Sequence, residues 1–317
     1  MKFILKIFLS FGFLPFLCCL NESKKLKKSN FWIDEQEAYW NELLEKNKKW
    51  YSSNEAIEIA NNILIYQHFS GGWPKNIDYK IAPSKIDVIV LKLSSFLKKY
   101  PSTYHATIDN NSTYSQMRFL AKIYNNTGFN RFKMGFLAGL DYLLLAQNEN
   151  GGWPQYFPYK GGYKNNITFN DDAMIGVMQI LKEVSELKFS FVDDLRINKS
   201  VKAIEKGLEL ILRTQIISGG KLTIWCSQYD PSNLHPSSAR SFEPIALSAR
   251  ESVKIVQYLM NESNPDTVTI KAIESAITWF KEFAIEGLKI VKTKDMNFIE
   301  NYDIQIIINP DNQLKPL

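Results

Sequence analysis

One short loop motif is written twice along the chain and echoed a third time. Residues 67–78 read QHFSGGWPKNID, residues 147–158 read QNENGGWPQYFP, and residues 214–225 read TQIISGGKLTIW. Each copy follows an apolar segment that closes on a glutamine, continues into a Gly-Gly turn and leads towards another apolar segment. A unit of helix, loop and helix that recurs in this way is typical of α-hairpin solenoids and closed α/α toroids.

The segments between these loops have helical periodicity. Apolar residues recur at spacings of three and four, which predicts amphipathic helices. The segments are NEAIEIANNILIYQHF, QMRFLAKIYNNTG, RFKMGFLAGLDYLLLAQ, DDAMIGVMQILKEVSEL, VKAIEKGLELILRTQ, SARESVKIVQYLM and IKAIESAITWFKEFA. Strand-like runs are few and short, at 220–227 and 304–309. The sequence therefore predicts an all-α fold, an α/α toroid-like barrel of helical hairpins with a few short strands.

The three loops, which we call corners 1, 2 and 3, have two interpretations. Double glycine permits backbone conformations that other residues resist, and Pro74 and Pro154 stop the preceding helix from continuing,. Trp73 and Trp153 would then fold back over the ends of their hairpins as packing residues, which is the interpretation we favour. The alternative is that both tryptophans form the floor of a sugar-binding groove.

A toroid places such corners on one rim of the molecule. We therefore expect Gly71, Gly151 and Gly219 to lie at one end of the structure. The inner helices that follow the corners would begin on the same rim.

Acidic and amide residues stand where two predicted inner helices begin. Asp109 and Asn110 precede one helix, and Asn170, Asp171 and Asp172 precede the next. Any one of them suits a helix N-cap, because Asp and Asn accept hydrogen bonds from free backbone N–H groups. Two acidic clusters on one rim favour another interpretation, a set of oxygen ligands for calcium, which is a hard cation.

The stretch that begins in corner 3, WCSQYDPSNLHPSSARSFEP at 225–244, is long and bears several charges. Loops of this length within compact domains tend to be functional. Arg240 stands three residues before Glu243. It is either a structural partner of Glu243 or a bidentate clamp for a substrate carboxylate, and the residues alone leave both interpretations open.

Composition indicates which kinds of ligand and which kinds of metal site the chain can have. Lys and Arg number 38 against 33 Asp and Glu, a mild basic excess that suits an anionic ligand. Basic residues do not cluster with aromatic residues, so we expect no nucleic-acid partner. Beyond the first twenty residues Cys226 is the only cysteine, and the chain has 3 histidines. Those counts exclude an internal disulfide in the mature chain and disfavour a cysteine- or histidine-based metal site.

The N-terminal residues have the layout of an export signal, with a basic end, an apolar run and an abrupt polar boundary. The apolar run is too short for a comfortable transmembrane helix. We divide the chain into a signal at 1–20, a basic linker at 21–30 and one helical domain at 31–317. We expect an exported protein in the periplasm or outside the cell. If Cys18 or Cys19 is acylated, as in a lipoprotein, the protein is instead anchored to the outer membrane.

At these residues the sequence resembles the family 10 polysaccharide lyases, which are pectate lyases. The matching stretches follow the order of the family. They are GGWPKN at 71–76, TIDNNSTYSQMRFLAKIY at 107–124, GLDYLLLAQNENGGWPQYFP at 139–158, ITFNDDAM at 167–174 and WCSQYDPSNLHPSSARSFEP at 225–244. The resemblance implies an α/α toroid-like domain that acts as a monomer on polygalacturonate and pectin oligosaccharides by calcium-assisted β-elimination.

The resemblance also implies a role for the acidic residues. Calcium would bridge the carboxylate beside C5 of a galacturonate, withdraw charge and make the C5 proton more acidic. Asp109 and one of Asp171 or Asp172 would hold the ion, with Asn110 nearby, and Asp109 would thereby be catalytic.

The basic residues would meet the substrate. Arg240 and Lys75 would bind other carboxylates of the polyanion, and Arg240 would act in the catalytic site. The remaining members of the implied substrate-binding set are Asn76, Glu243, Trp73 and Trp153.

The chain departs from the family pattern near its last residues. The pattern passes a stretch like NPDNQLKPL at 309–317 and continues into a Trp-Ala-Arg-Phe-Tyr-Glu run and a later arginine that serves as the base. No arginine follows Arg250 in this sequence. We therefore expect a domain truncated at its C-terminus, which binds polygalacturonate far better than it cleaves it. Two alternatives stay open, a non-catalytic polygalacturonate-binding protein and an unrelated α/α-barrel enzyme.

Overall fold

The computed structural model describes residues 33–158, 161–285, 288–294 and 302–308. The predicted signal at 1–20, the linker at 21–30 and the C-terminal stretch at 309–317 lie outside the described residues. Within the described part of the chain, no helix combines the length and the apolar character that crossing a membrane requires.

Helices dominate the described residues. They are α1 (Ile33–Leu44), α2 (Asn54–Ile65), α3 (Lys85–Leu97), α4 (Tyr114–Thr127), α5 (Asn130–Ala146), α6 (Ala173–Ser185), α7 (Asp194–Thr214), α8 (Ala249–Met260) and α9 (Thr267–Glu282). Their ends follow from the sequence. Gly128 ends α4 in the left-handed conformation, and Asp193 and Asp266 cap α7 and α9 by accepting hydrogen bonds from backbone N–H groups,. The prediction of an all-α fold is confirmed.

The strands are short and pair in antiparallel twos. They are β1 (Ile167–Thr168), β2 (Ile217–Ser218), β3 (Lys221–Leu222), β4 (Gln228–Tyr229), β5 (Leu288–Lys294) and β6 (Tyr302–Ile308), paired β1 with β4, β2 with β3 and β5 with β6. The strand predicted at 304–309 is confirmed as β6. The strand predicted at 220–227 is wrong for most of its length, because the chain leaves β3 and turns inward to bury Trp225.

The helices form hairpins that are stacked in two rows. Helix α4 packs on α5, α6 on α7 and α8 on α9. Helices α1, α4, α6 and α8 contact one another in that order and form an inner row. Helices α2, α5, α7 and α9 do the same and form an outer row. This two-layered stack of hairpins is the predicted α/α toroid type of fold.

Each corner is locked by its glutamine. Gln67, Gln147 and Gln215 each donate through Nε2 to one carbonyl in their own corner and to one carbonyl in the next helix of the outer row. The acceptors within the corners are Gly71, Gly151 and Thr223. One repeated side chain therefore joins successive hairpins, and the repeat seen in the sequence is a repeat of hydrogen bonds.

The glutamine bonds correct the register of corner 3. Thr223, and not Gly219, occupies the place of Gly71 and Gly151. Gly219 and its neighbour form the turn of the β2–β3 hairpin, where both adopt positive φ angles. The hairpin is an insertion, so the third Gly-Gly pair has a different function from the first two.

The corner tryptophans are packing residues. Trp73 and Trp153 are 0% exposed. Their indole N–H groups donate to carbonyls at the end of the preceding helix, Trp73 to Ile63 at 2.8 Å and Trp153 to Leu143 at 2.7 Å. The favoured packing interpretation is confirmed. The prediction that these tryptophans contact substrate is wrong, because neither ring has a free face.

The corners lie beside the segments that lead into the inner helices. The carbonyls of Trp73, Trp153 and Trp225 accept hydrogen bonds from the N–H groups of Thr107, Thr168 and Ser248, at 3.0, 3.2 and 2.8 Å. We call residues 107–113 lead-in 1 and residues 167–172 lead-in 2; they precede α4 and α6. Corners and lead-ins therefore share one rim, as predicted, and the candidate site residues lie there.

Candidate active site

The lead-ins share an uncommon backbone. Asn110 and Asn111 in lead-in 1 have φ angles of 50° and 59°, and Asp171 and Asp172 in lead-in 2 have φ angles of 54° and 58°. Left-handed backbone is costly for residues other than glycine, although Asn and Asp tolerate it best. Such residues gather at functional sites, where the surrounding structure holds them.

The acidic side chains of the lead-ins do not cap the helices that follow them. Thr113 is the N-cap of α4 and Asp172 is the N-cap of α6, and within the described residues neither side chain makes a capping hydrogen bond. An N-cap residue that accepts a hydrogen bond is normally extended, whereas Asp172 is left-handed. The capping alternative is therefore wrong for Asp109 and Asp172, and their carboxylates are directed elsewhere.

Asp109 is the most enclosed carboxylate of the site, with 1% of its surface exposed. Its Oδ2 forms an ion pair with Lys75 Nζ and accepts a hydrogen bond from Gln155 Nε2 at 2.9 Å. Its Oδ1 is buried and has no hydrogen-bond partner among the described residues. An unsatisfied buried oxygen destabilises the fold, so Oδ1 is suited to a cation or a donor that arrives with a ligand.

Lys75 is held in its charged form. Burial alone would lower the pKa of Lys75, but the charge of Asp109 and the hydrogen bond to it outweigh burial and raise that pKa, and Tyr156 and Asp171 contribute to the increase. The raised pKa and the ion pair with Asp109 suit the amine to binding anions.

Asp171 responds to the charge of Asp109. Burial raises the pKa of Asp171 to about 7, and repulsion from Asp109 adds to the increase, while Arg250 and Lys75 oppose it. Arg250 Nη1 lies 3.8 Å from Asp171 Oδ1, and Asn170 Nδ2 donates to Asp171 Oδ2 at 2.7 Å. Two mutually repelling carboxylates in a poorly solvated place would be stabilised by a bound cation.

Asp172 has different neighbours. Its Oδ2 lies 4.0 Å from Lys254 Nζ. Burial raises the pKa of Asp172, and Lys254 and Arg250 oppose the increase. Its side chain lines a cavity of about 150 Å³ between the inner helices, together with Glu37 and Arg118. Of the two neighbouring aspartates, Asp171 is therefore the one coupled to Asp109.

Oxygen donors for a cation are present but incomplete. Within the ranges that the structure describes, no group of three or more His, Cys, Asp or Glu side chains could hold a metal ion. Calcium takes six to eight oxygen ligands. Asp109 and Asp171 alone do not complete such a site, so the calcium assignment stays a prediction in which water and substrate carboxylates would supply the remaining ligands.

Asn110 ties lead-in 1 to corner 1. Its Nδ2 donates to Asn76 Oδ1 at 2.9 Å. Asn76 is also left-handed, with a φ angle of 62°. The link places both amides beside the Lys75–Asp109 pair, while their assignments to metal and to substrate remain predictions.

Arg240 and Glu243 are partners. Arg240 Nε donates to Glu243 Oε2 at 2.8 Å, its Nη2 binds the other carboxylate oxygen, and its guanidinium stacks on the ring of Phe242. The hydrogen bond to Glu243 raises the pKa of Arg240, and the charge of Asp109 contributes to the same increase. The structural pairing is confirmed. The arginine side chain is nevertheless 54% exposed and therefore accessible to a ligand.

The sequence did not predict several residues that lie next to Asp109 and Asp171. Gln155 stands two residues after Trp153, the position that Lys75 has relative to Trp73, so an alignment of the corners would have identified it. Arg250 and Lys254, four residues apart at the start of α8, face lead-in 2. Their spacing puts them on one face of a helix, but nothing in the sequence shows which lead-in that face meets.

Known proteins are similar to this chain in sequence and in fold. The family described as Pectic acid lyase matches residues 67–313. A family 10 polysaccharide lyase from Cellvibrio cellulosa superposes with a TM-score of 0.69 at 26% identity, covering 88% of this chain and 79% of the other. An aspartate-to-alanine mutant of a family 10 polysaccharide lyase from the same organism, in complex with trigalacturonic acid, superposes with a TM-score of 0.68 at 25% identity, covering 88% and 80%. No curated protein matches the chain.

Proposed function

Because the chain belongs to the pectic acid lyase family, we propose that it cleaves polygalacturonate by calcium-assisted β-elimination. One observation carries the proposal: the buried Asp109, which has an unpartnered Oδ1, is electrostatically coupled to Asp171 on the rim. Paired carboxylates of this kind attract a divalent metal ion. The basic side chains around them attract a polyanion.

The cationic side chains suit a substrate with one carboxylate per sugar. Lys75, Arg240 and Arg250 lie around Asp109 and Asp171. Guanidinium groups bind carboxylates through paired hydrogen bonds, and an ammonium group binds them as a point charge. The complex of the related enzyme with trigalacturonic acid supports this class of substrate.

Asp109 Oδ1 and the carboxylate of Asp171 would hold the calcium ion. When bound, calcium withdraws charge from a substrate carboxylate and makes the neighbouring C5 proton more acidic. Asn110 would support this site through its link to Asn76. Asp172 would face the cavity between the inner helices and would not bind the ion, because its neighbours line that cavity.

The elimination requires removal of the C5 proton, cleavage of one carbon–oxygen bond and protonation of the departing oxygen. A base removes the C5 proton, the electrons of that bond form the C4–C5 double bond, and the bond from C4 to the glycosidic oxygen breaks. The departing oxygen takes its proton from solvent. Lys75 is paired with Asp109 and its pKa is raised, so we assign it to binding a substrate carboxylate.

Arg240 is assigned to binding a substrate carboxylate above Asp109. Replacement by lysine keeps the charge but removes the bidentate geometry. We expect Arg240→Lys to raise KM and to leave kcat within a few-fold. A fall in kcat at unchanged KM would instead place Arg240 at the proton transfer.

The proposed reaction is tested by following the unsaturated product through its ultraviolet absorbance, with polygalacturonate at alkaline pH, in calcium and in chelator. Binding of trigalacturonic acid is measured in parallel by calorimetry. We expect product that depends on calcium. Binding without product would identify a non-catalytic polygalacturonate-binding protein, and the absence of both binding and product would overturn the proposed function.

A further inference from the structure

Equivalent positions of two corners converge on one carboxylate oxygen. Lys75 and Gln155 each stand two residues after a corner tryptophan. Both bind Asp109 Oδ2, Lys75 as an ion pair and Gln155 through its amide at 2.9 Å. The repeated scaffold therefore supplies one charged donor and one neutral donor to the same atom.

Gln155 is fixed to lead-in 1 by its main chain as well. Its carbonyl accepts hydrogen bonds from Thr107 Oγ1 at 2.5 Å and from the N–H of Ile108 at 3.2 Å. The preceding residue, Pro154, forms a bridge with Ile167 of lead-in 2. Corner 2, which contains Gln155, is thus bonded both to lead-in 1, which contains Asp109, and to lead-in 2, which contains Asp171.

The direction of the amide is dictated by the carboxylate. Gln155 is 7% exposed, and reversing its amide would set its oxygen against Asp109 Oδ2. With the NH2 group directed to Asp109, Gln155 Oε1 is buried without a partner among the described residues, as is Asp109 Oδ1. Two buried oxygens that lack donors are costly on adjoining side chains, and a cation would satisfy them.

We propose that Gln155 is the positioning residue for Asp109, an inference that rests on the proposed function. Its amide and Lys75 occupy Oδ2, which leaves Oδ1 as the oxygen presented to calcium. A neutral donor suits this position, because a second ammonium would oppose the cation and a carboxylate would repel Asp109.

The test compares calcium affinities of the full-length chain by calorimetry, with calcium alone and with calcium plus trigalacturonic acid, corrected for calcium bound by the sugar. Gln155→Met keeps the volume and removes the donor. Gln155→Asn keeps an amide that is too short to reach Asp109. The matched control is Gln116→Met, because Gln116 is 1% exposed, donates to Tyr79 at 3.0 Å rather than to Asp109, and has an unpartnered Oε1.

Loss of a partner that orients a metal ligand typically weakens metal binding about 10–100-fold. We expect that loss in both Gln155 variants, recovery of turnover in excess calcium, and wild-type affinity in Gln116→Met. If Gln155→Met fails to fold, Gln155→Asn decides the question.

Wild-type affinity in a folded Gln155 variant would overturn the positioning role and leave the proposed function intact. An equal loss in Gln116→Met would also overturn it, by showing a general effect of buried amides. If the wild-type protein binds no calcium under either condition, the calcium chemistry of the proposed function fails and this role fails with it.

Discussion

The two lead-ins share a left-handed pair of residues but carry their aspartates one position apart. The hydrogen bonds from Thr107 and Thr168 to the corner tryptophans align Asp109 with Asn170, and therefore Asn110 with Asp171. Asp109 falls between two corners and is enclosed by donors. Asp171 falls in the left-handed pair, and burial beside Asp109 raises its pKa to about 7. Because the aspartates are offset by one residue within the repeat, the carboxylates of Asp109 and Asp171 have different surroundings.

Removing the enclosed carboxylate should have the largest effect. We expect Asp109→Asn to lower kcat/KM at least about 100-fold, the scale on which losing a preorganised electrostatic group acts. The matched control is Asp141→Asn, which removes an aspartate that pairs with Arg196 on the exposed side of α5. Product formation by ultraviolet absorbance measures both. Activity of Asp109→Asn within a few-fold of wild type would show that the enclosed position is structural.

The second largest effect should be a difference in calcium affinity between variants of Asp171 and Asp172, the neighbouring aspartates of lead-in 2. We expect Asp171→Asn to weaken calcium binding about 10–100-fold and Asp172→Asn to change it less than about threefold, because Asp172 faces Lys254 and the inner cavity. Calorimetric titration with calcium makes the comparison. The reverse order would assign the ion to Asp172 and break the pairing with Asp109.

The corner tryptophans should affect stability and leave binding unchanged. Trp153→Phe removes the indole donor to Leu143, which leaves a buried carbonyl unpaired and costs about 1–3 kcal/mol. Urea unfolding measures that loss, and calcium and trigalacturonic acid affinities should match wild type. Weakened binding of trigalacturonic acid in a protein of unchanged stability would instead support a role for Trp153 in sugar binding.

The smallest effect concerns pH. The folded-state pKa of Asp171, about 7, lies above its ordinary value of 3.8, so unfolding releases a proton between those values. In calcium-free protein this group's contribution to stability is complete below about 3.8 and is lost as pH rises through 7,. The increase in Tm on adding calcium should therefore be larger at pH above 7 than below it. Asp171→Asn should remove that dependence, and a persistent slope would assign it to another group.

Much of the fold could be predicted because it rests on periodicity. Repeated Gln and Gly-Gly-Trp signals marked corners 1 and 2, and the apolar spacing marked the hairpins. Corner 3 was misaligned because the inserted β2–β3 hairpin has its own Gly-Gly turn at Gly219. The Gly-Gly pair alone does not reveal that Thr223 makes the equivalent bond.

The site was partly predictable for a similar reason. Asp109 and Asp171 were found from their positions before helices. The choice between Asp171 and Asp172 depends on left-handed backbone, and the Asn-Asn and Asp-Asp doublets were a signal for it that went unused,. Gln155 was missed because its partner lies 46 residues away in the chain. Contacts of that kind are set by the packing of hairpins, which local patterns do not encode.

The central claim is that Asp109 and Asp171 share a calcium ion with a substrate carboxylate. The most direct test is a crystal structure of the Asp109→Asn protein and of the wild-type protein, each with calcium and trigalacturonic acid. In the wild-type crystal we expect an ion roughly 2.3–2.6 Å from an oxygen of Asp171 and from a galacturonate carboxylate, with Asp109 Oδ1 directed at it. An ion bound at Asp172 in the inner cavity, or a sugar bound away from Lys75 and Arg240, would contradict it.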